Sequence, residues 1–298
     1  MAWLQLTALI LVVVALPRGV QAGFPERLTS RKAKLAASSA LPLPALPAAQ
    51  QNLQTGWQAY QQGDLAEAIR GYRAALEHSP SDQSLWYDLG CLYALAQDFP
   101  MARAAFERTL RLDPQFAEAH DAVGQIEEHE GALDHARAAY QRTVGLKPGT
   151  EKFLRHLAQM SLQLNDETVA RDALSRLLDV APRDGEARYQ LAVLELRSNT
   201  PDLAIRDFRS ILERSPTHLL AWNGLGLAYA RIGEFAQAAE ALERAQQIDP
   251  ANPITYTNVG VLAAHQRRWE AARAAWQHAV SLDPHFGPAL ENLERLSA

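Results

Sequence analysis

Small and large apolar residues recur along this chain with one long, fixed period. Alanine stands at Ala68, Ala102, Ala136, Ala170, Ala204, Ala238 and Ala272, each 34 residues from the next. Four positions after each comes a large apolar side chain: Tyr72, Phe106, Tyr140, Leu174, Phe208, Leu242 or Trp276. That is the spacing of one helix face. The small residue lets two helices approach, and the large one fills the gap between them. A third column, twelve residues beyond the alanine, is proline: Pro80, Pro114, Pro148, Pro182, Pro216, Pro250 and Pro284. A period of this length predicts helix-turn-helix units that bury their apolar faces by stacking on their neighbours.

Counted from the prolines, the units run over residues 49–82, 83–116, 117–150, 151–184, 185–218, 219–252 and 253–286. The first half of a unit has its own pattern, seen in Trp86, Leu89, Gly90 and Tyr93 and again in Trp222, Leu225, Gly226 and Tyr229. Turns fall at Gly63-Asp64, Gly131-Ala132 and Gly233-Glu234, where glycine can adopt the left-handed conformation that ends a helix. Asn165 and Asn199 take that place in two other units, and asparagine tolerates the same conformation. The closing signals Asp113-Pro114, Asp249-Pro250 and Asp283-Pro284 put proline where helical geometry must stop.

These motifs resemble the tetratricopeptide repeat family, most completely in the units that start at Gln83 and Leu219, and the resemblance spans residues 49–286. It implies an all-α fold, a right-handed superhelical solenoid of helix-turn-helix repeats. A C-terminal capping helix is expected over 287–298, with Leu290, Leu293 and Leu296 on one face. The units starting at Glu151 and Gly185 depart from the pattern. They carry Ala158 and Ala192 for the close-packing glycine, and Leu177 and Ile211 where a typical member has Ala.

The resemblance also implies that the first helices line a concave groove holding a partner segment. The inward positions give Trp57 and Tyr60 in the first repeat, Tyr87, Asp88 and Cys91 in the second, and Glu118, Asp121, Gln125, Glu128 and His129 in the third. The fourth gives Lys152, Arg155, His156 and Gln159, and the fifth Tyr189, Gln190 and Arg197. Asn223, Arg231, Asn258 and His265 follow. The wall is thus expected to pass from aromatic to acidic to basic, favouring a partner of complementary order. Its competitor is a set of charges that only solvate the helices. Trp86, Trp222 and Trp276 are assigned to packing, whereas Trp57 falls on the inner face. One family subtype grips a C-terminal carboxylate through Lys, Asn and Arg. The matching sites here hold Leu53, Trp57, Asp88, Asp121 and Ala122, so that clamp is absent.

No chemistry-bearing motif accompanies the repeats. Nine histidines form no His-Glu-x-x-His pair, and neither a phosphate-cradling Gly-rich loop nor a Gly-x-Ser-x-Gly elbow occurs. The expected function is therefore a non-enzymatic protein-binding scaffold without catalytic residues, cofactor or metal. The alternative is a self-assembling structural protein. The polar cluster Glu127, Glu128, His129, Glu130 and His135 points around a helix end rather than toward one centre. Cys91, the sole cysteine, excludes an intramolecular disulfide. It is expected to be a small packing residue, with a redox role facing the groove as the sharper alternative.

An apolar run over residues 4–16, Pro17, and then Val20-Gln21-Ala22 read as a secretory signal peptide over 1–22, cleaved before Gly23. No Lys or Arg precedes the run, and Arg18, Arg27, Arg31, Lys32 and Lys34 follow it, so an uncleaved anchor is the alternative. The expected location is the periplasm or outside of a bacterial cell. Residues 23–48 are expected to form an Ala/Pro-rich, disordered linker whose Leu-Pro alternation through Pro42, Pro44 and Pro47 favours polyproline II. Its expected role is a spacer, and the sharper alternative is that it folds back into the groove. A formal net charge of −5 over 298 residues recommends neither nucleic acid nor an anionic membrane as partner.

Overall fold

The computed structural model describes residues 47–297. The leader expected over 1–22 and all but the end of the linker lie outside the described residues. Among these residues there are fifteen α-helices and no strand. They are α1 (Ala48–Gln61), α2 (Leu65–His78), α3 (Gln83–Leu95), α4 (Phe99–Leu112), α5 (Ala117–His129), α6 (Leu133–Leu146), α7 (Glu151–Gln163) and α8 (Glu167–Val180). There follow α9 (Gly185–Arg197), α10 (Pro201–Arg214), α11 (Leu219–Arg231), α12 (Phe235–Ile248), α13 (Pro253–His265), α14 (Trp269–Leu282) and α15 (Gly287–Ser297). The described chain divides into two compact units, residues 47–173 and 174–297.

In the amino-terminal unit α1 packs on α2, α3 on α4 and α5 on α6. Ala68, Ala102 and Ala136 have no exposed surface, and neither have Tyr72, Phe106 and Tyr140. The first helix receives each large ring at a glycine. A Cβ on Gly90 would stand 2.5 Å from the Phe106 ring, and one on Gly124 would stand 2.7 Å from that of Tyr140.

The carboxy-terminal unit pairs α9 with α10, α11 with α12 and α13 with α14, and α15 lies on α14. Here the glycine rule has an instructive variation. Ala192 occupies the usual glycine position of its repeat, and the Phe208 ring lies against Gly224 of the next. A Cβ there would fall 2.4 Å from the ring. The space for the ring has moved to a glycine 32 residues further on. Leu177 and Ile211 are buried, filling the alanine position with larger side chains.

Every turn within a pair uses a left-handed residue: Gly63, Gln97, Gly131, Asn165, Asn199, Gly233 and Arg267. Gln97, at φ 61°, and Arg267, at φ 58°, carry no sequence signal for this conformation. Around the turn, Asp64 and Asp98 cap the following helices by accepting from the backbone N–H groups of Glu67 and Met101.

A donor at the fourth position of most repeats reaches the carbonyl of the proline six residues earlier. Trp86 Nε1 donates to Pro80 at 2.9 Å, Trp222 Nε1 to Pro216 at 2.7 Å, Arg188 Nη2 to Pro182 at 2.9 Å and Tyr256 Oη to Pro250 at 3.1 Å. Trp86 and Trp222 are thus half-buried and hydrogen-bonded, tying each helix start to the preceding loop. Trp276 is buried and donates to the Thr257 carbonyl at 3.0 Å.

Candidate partner-binding face

The first helices of the amino-terminal unit meet through side chains that the sequence had placed on an open wall. Tyr87 lies between the rings of Phe106 and Phe116, at 5.4 and 5.2 Å, and is buried. Cys91 and Asp88 are buried as well, and so is Trp57, whose ring is 5.4 Å from that of Tyr60. Burial corrects the expected place of Tyr87 on an open wall, whereas for Cys91 it agrees with the expected small packing residue and not with a thiol facing the groove. The fifth and ninth positions face the neighbouring helix as much as the open side. A thiol with no exposed surface cannot reach another chain without opening its repeat. Tyr60 stays half-buried, and its phenol is pushed up by burial and by the proximity of Cys91.

Asp121 organises the next stretch. One carboxylate oxygen lies 2.6 Å from His156 Nδ1, and the other accepts from Gln125 Nε2 at 2.8 Å and lies 3.2 Å from Lys152 Nζ. Burial works to raise this carboxyl. The hydrogen bond and charge of His156, aided by Lys152, outweigh it and hold Asp121 below the ordinary carboxylate range. Glu118 pairs with Lys147 at 2.7 Å, Arg155 with Glu151 at 2.6 Å, and Glu128 accepts from Tyr140 Oη at 2.8 Å. The expected acidic-to-basic gradient is therefore largely consumed inside this unit, because its charges sit on successive repeats and pair with one another. His129 remains exposed, its ring 4.5 Å from Phe99, and Gln159 is half-buried.

The polar cluster at the end of α5 does not converge. Arg103 binds Glu127 at 2.8 Å and Glu130 at 2.6 Å, while Glu128 turns to Tyr140. Among the described residues no group of His, Cys, Asp and Glu has an arrangement able to hold a metal.

In the carboxy-terminal unit Tyr189 is also buried, with its ring 5.9 Å from Phe208 and 5.7 Å from His218. Burial, aided by the charge of Glu186, pushes its phenol far up. Asn223 donates to Thr255 Oγ1 at 3.0 Å and accepts from Asn258 Nδ2 at 3.0 Å, joining α11 to α13. Arg231 reaches back from α11 to the carbonyl of Leu196 at the end of α9, and Arg197 is exposed beside it in sequence. Burial pulls the Arg231 guanidinium below its ordinary range. Burial, followed by the charge of Arg231, does the same to His265. Leu220, Ile254 and Val261 are half-exposed members of the same inward columns, which the polar reading of those columns passed over.

Two tetratricopeptide repeat family models match the chain, one over residues 157–218 and 194–253 and the other over 59–126. The BBSome complex member BBS4 of Bos taurus is 25% identical over 215 residues, which is 72% of this chain and 41% of that protein. Superkiller protein 3 of Schizosaccharomyces pombe is 30% identical over 176 residues, covering 57% of this chain and 13% of its own length. The chain thus spans less than half of these curated relatives. Among solved structures, a tetratricopeptide repeat protein from Parabacteroides merdae ATCC 43184 aligns over 84% of this chain and 99% of its own, with TM-score 0.51 and 18% identity. YrrB, a TPR protein with an unusual peptide-binding site, aligns over 64% of this chain and 99% of its own, with TM-score 0.52 and 18% identity. At that identity the likeness is one of fold.

Proposed function

Because the chain belongs to the tetratricopeptide repeat family, we propose that it is a non-enzymatic scaffold that takes a segment of a partner protein on the face formed by its first helices. One observation carries the reading: neighbouring first helices are joined by polar side chains, the buried Asp121 to the half-buried His156 in one unit and the buried Asn223 to Asn258 in the other. Such links hold the half-exposed side chains between them at fixed spacing. A partner segment then binds a pre-organised surface rather than one that must first be ordered. The peptide-binding site of YrrB supports the same class of ligand.

The test is site-specific photo-crosslinking in cells. A photoreactive residue is placed at Leu220, Ile254 or His129 on first helices, and at the exposed Glu107 or Glu240 on second helices. Crosslinks to another protein from the first three positions are expected. Crosslinks from Glu107 and Glu240 alone would move the site to the opposite helices, and crosslinks between copies alone would make the chain a self-assembling scaffold.

Export is part of the proposal, supported by the apolar run at residues 4–16 and the Val20-Gln21-Ala22 pattern. A periplasmic protein beginning at Gly23 by intact mass is the expected result. A full-length membrane-bound species would favour the anchor.

A further inference from the structure

On the inward stripe of α11 the two ends differ in chemistry. Leu220 stands at the start and Arg231 at the end, eleven residues later. At about 100° and 1.5 Å per residue they point within about 20° of one another and lie about 16 Å apart along the helix axis. Between them Gly224 has no side chain and Leu227 is buried, so the middle of the stripe is low. The neighbouring α13, joined to α11 by the hydrogen bond from Asn258 to Asn223, begins its own stripe with Ile254, continues it with Val261 and ends it with His265. Leu220, Ile254 and Val261 are half-exposed. The face is therefore apolar along the helix starts and cationic at the end of α11.

That cation has no counter-charge. Arg231 is half-buried and donates to the Leu196 carbonyl, and it forms no ion pair among the described residues. Other half-buried arginines do find carboxylates: Arg188 lies 3.3 Å from Asp207, and Arg103 lies 2.8 Å from Glu127. A desolvated guanidinium satisfied by a backbone carbonyl alone is held at a free-energy cost, which an incoming carboxylate relieves.

The middle of the face selects the conformation of what lies on it. Asn223 donates to Leu219 and Thr255 and accepts from Asn258, while Val261 and Ala264 offer apolar surface. An extended segment laid there would leave its backbone N–H and C=O groups short of partners, whereas a helix satisfies its own. A helix with its side chains is also about 10–12 Å across, so its two flanks reach toward the two ends of a stripe about 16 Å long.

The geometry points to a partner segment that lies across α11 and α13 as an amphipathic α-helix, with apolar side chains on Leu220 and Ile254 and a carboxylate on Arg231. This inference rests on the first-helix face being the binding face. The protein's own linker is a poor occupant, because residues 23–48 contain a single carboxylate, Glu26, and Pro42, Pro44 and Pro47 oppose a helix.

The probes are fluorescein-labelled peptides of about 18 residues, five helical turns, with equal numbers of Leu and Glu in an Ala background. In the striped peptide the leucines and glutamates occupy separate flanks of a helix, and in the scrambled peptide the same residues are mixed around it. Anisotropy titration of the full chain is expected to favour the striped peptide by about fivefold or more, since only it brings each chemistry to its own end of the face. Replacing its glutamates by glutamine should weaken binding by about tenfold, the effect of losing a charge-assisted bond to the guanidinium. Two prolines at its centre should abolish binding, because they break the helix. On the protein, Ile254→Ser should weaken the striped peptide by about fivefold. Arg231→Gln should remove the preference for glutamate over glutamine, and Arg268→Gln, at an exposed position outside the stripe, should leave it intact. If Arg231→Gln fails to fold, the comparison of the two peptides on the unmodified protein still decides the point.

No binding of either peptide, equal affinity for the striped and scrambled forms, equal affinity for glutamate and glutamine, or binding that survives the central prolines would each overturn the inference. If photo-crosslinks still map to Leu220 and Ile254, the first-helix face stands and the acidic amphipathic helix alone is wrong. If they map only to Glu107 and Glu240, the underlying reading has failed instead.

Discussion

Two kinds of residue carry costs that can be measured separately. Gln97 and Gly63 occupy equivalent turns, yet only one has a side chain, and a Cβ on Gly63 would meet nothing within 4 Å. The difference is therefore one of backbone conformation. Gln97→Gly is expected to stabilise the fold by about 0.5–1 kcal/mol and Gly63→Gln to destabilise it by a similar amount, as read from urea midpoints. Asp121 shows a second kind of cost. Asp121→Asn leaves Lys152 and the His156 side beside a neutral partner, so a loss of about 2–4 kcal/mol is expected at pH 7. Asp121 titrates below an ordinary carboxyl in the folded chain. Its contribution is full above that ordinary range and disappears as pH falls through the lowered value. Urea titrations at stepped pH should show the wild type and the variant converging in acid below about pH 4. A gap that stays constant down to pH 2 would show that the carboxylate charge is not what matters.

At the scale of helices, the links between first helices should behave as couplings. Asn223→Ala and Asn258→Ala each remove one side of the hydrogen bond between α11 and α13. A double-mutant cycle is expected to return a coupling of about 1 kcal/mol, and additive effects would mean that this contact stabilises nothing. Such links also mark where the sequence stopped being legible. The alanine, large-apolar and proline columns were readable because each recurs at one period and each has a single job, filling or ending a helix pair. Tyr87 and Tyr189 were not, because an inward position in one helix is also a contact position for the next, and burial depends on what stands there. Tyr87 is covered by Phe106 and Phe116 and Tyr189 by Phe208 and His218, and Phe116 and His218 hold the last position of their repeats, where the residue type varies too much to be read as a packing column. The pairing of Asp121 with Lys152 and His156 likewise needs the stacking in hand, since the three lie 31 and 35 residues apart. The apolar Leu220, Ile254 and Val261 were within reach of the same column register and were missed because only polar and aromatic residues were sought there.

For the molecule as a whole, the repeat construction dictates how damage spreads. Each repeat contacts its neighbours and little else, so stability is close to a sum of repeat and interface contributions rather than a property of one shared core. Gly260→Ala is a local perturbation suited to testing this. Its Cβ would fall 2.2 Å from the indole nitrogen of Trp276, a rigid buried ring that already donates to the Thr257 carbonyl. Neither the ring nor the helix can yield without breaking that hydrogen bond or opening the pair, so a cost of about 2–3 kcal/mol or more falls on α13 and α14. Amide hydrogen exchange followed by mass spectrometry should then show faster exchange across α13, α14 and α15. Protection in α3 to α6 should be unchanged, because no contact of theirs has been altered and the last repeats can fray by themselves. Gly287→Ala, whose Cβ would meet nothing within 4 Å, is the matching control and should leave every segment as it was. If Gly260→Ala lowered protection equally from α3 to α15, the described chain would be one cooperative block. Its repeats would then not contribute additively to its stability.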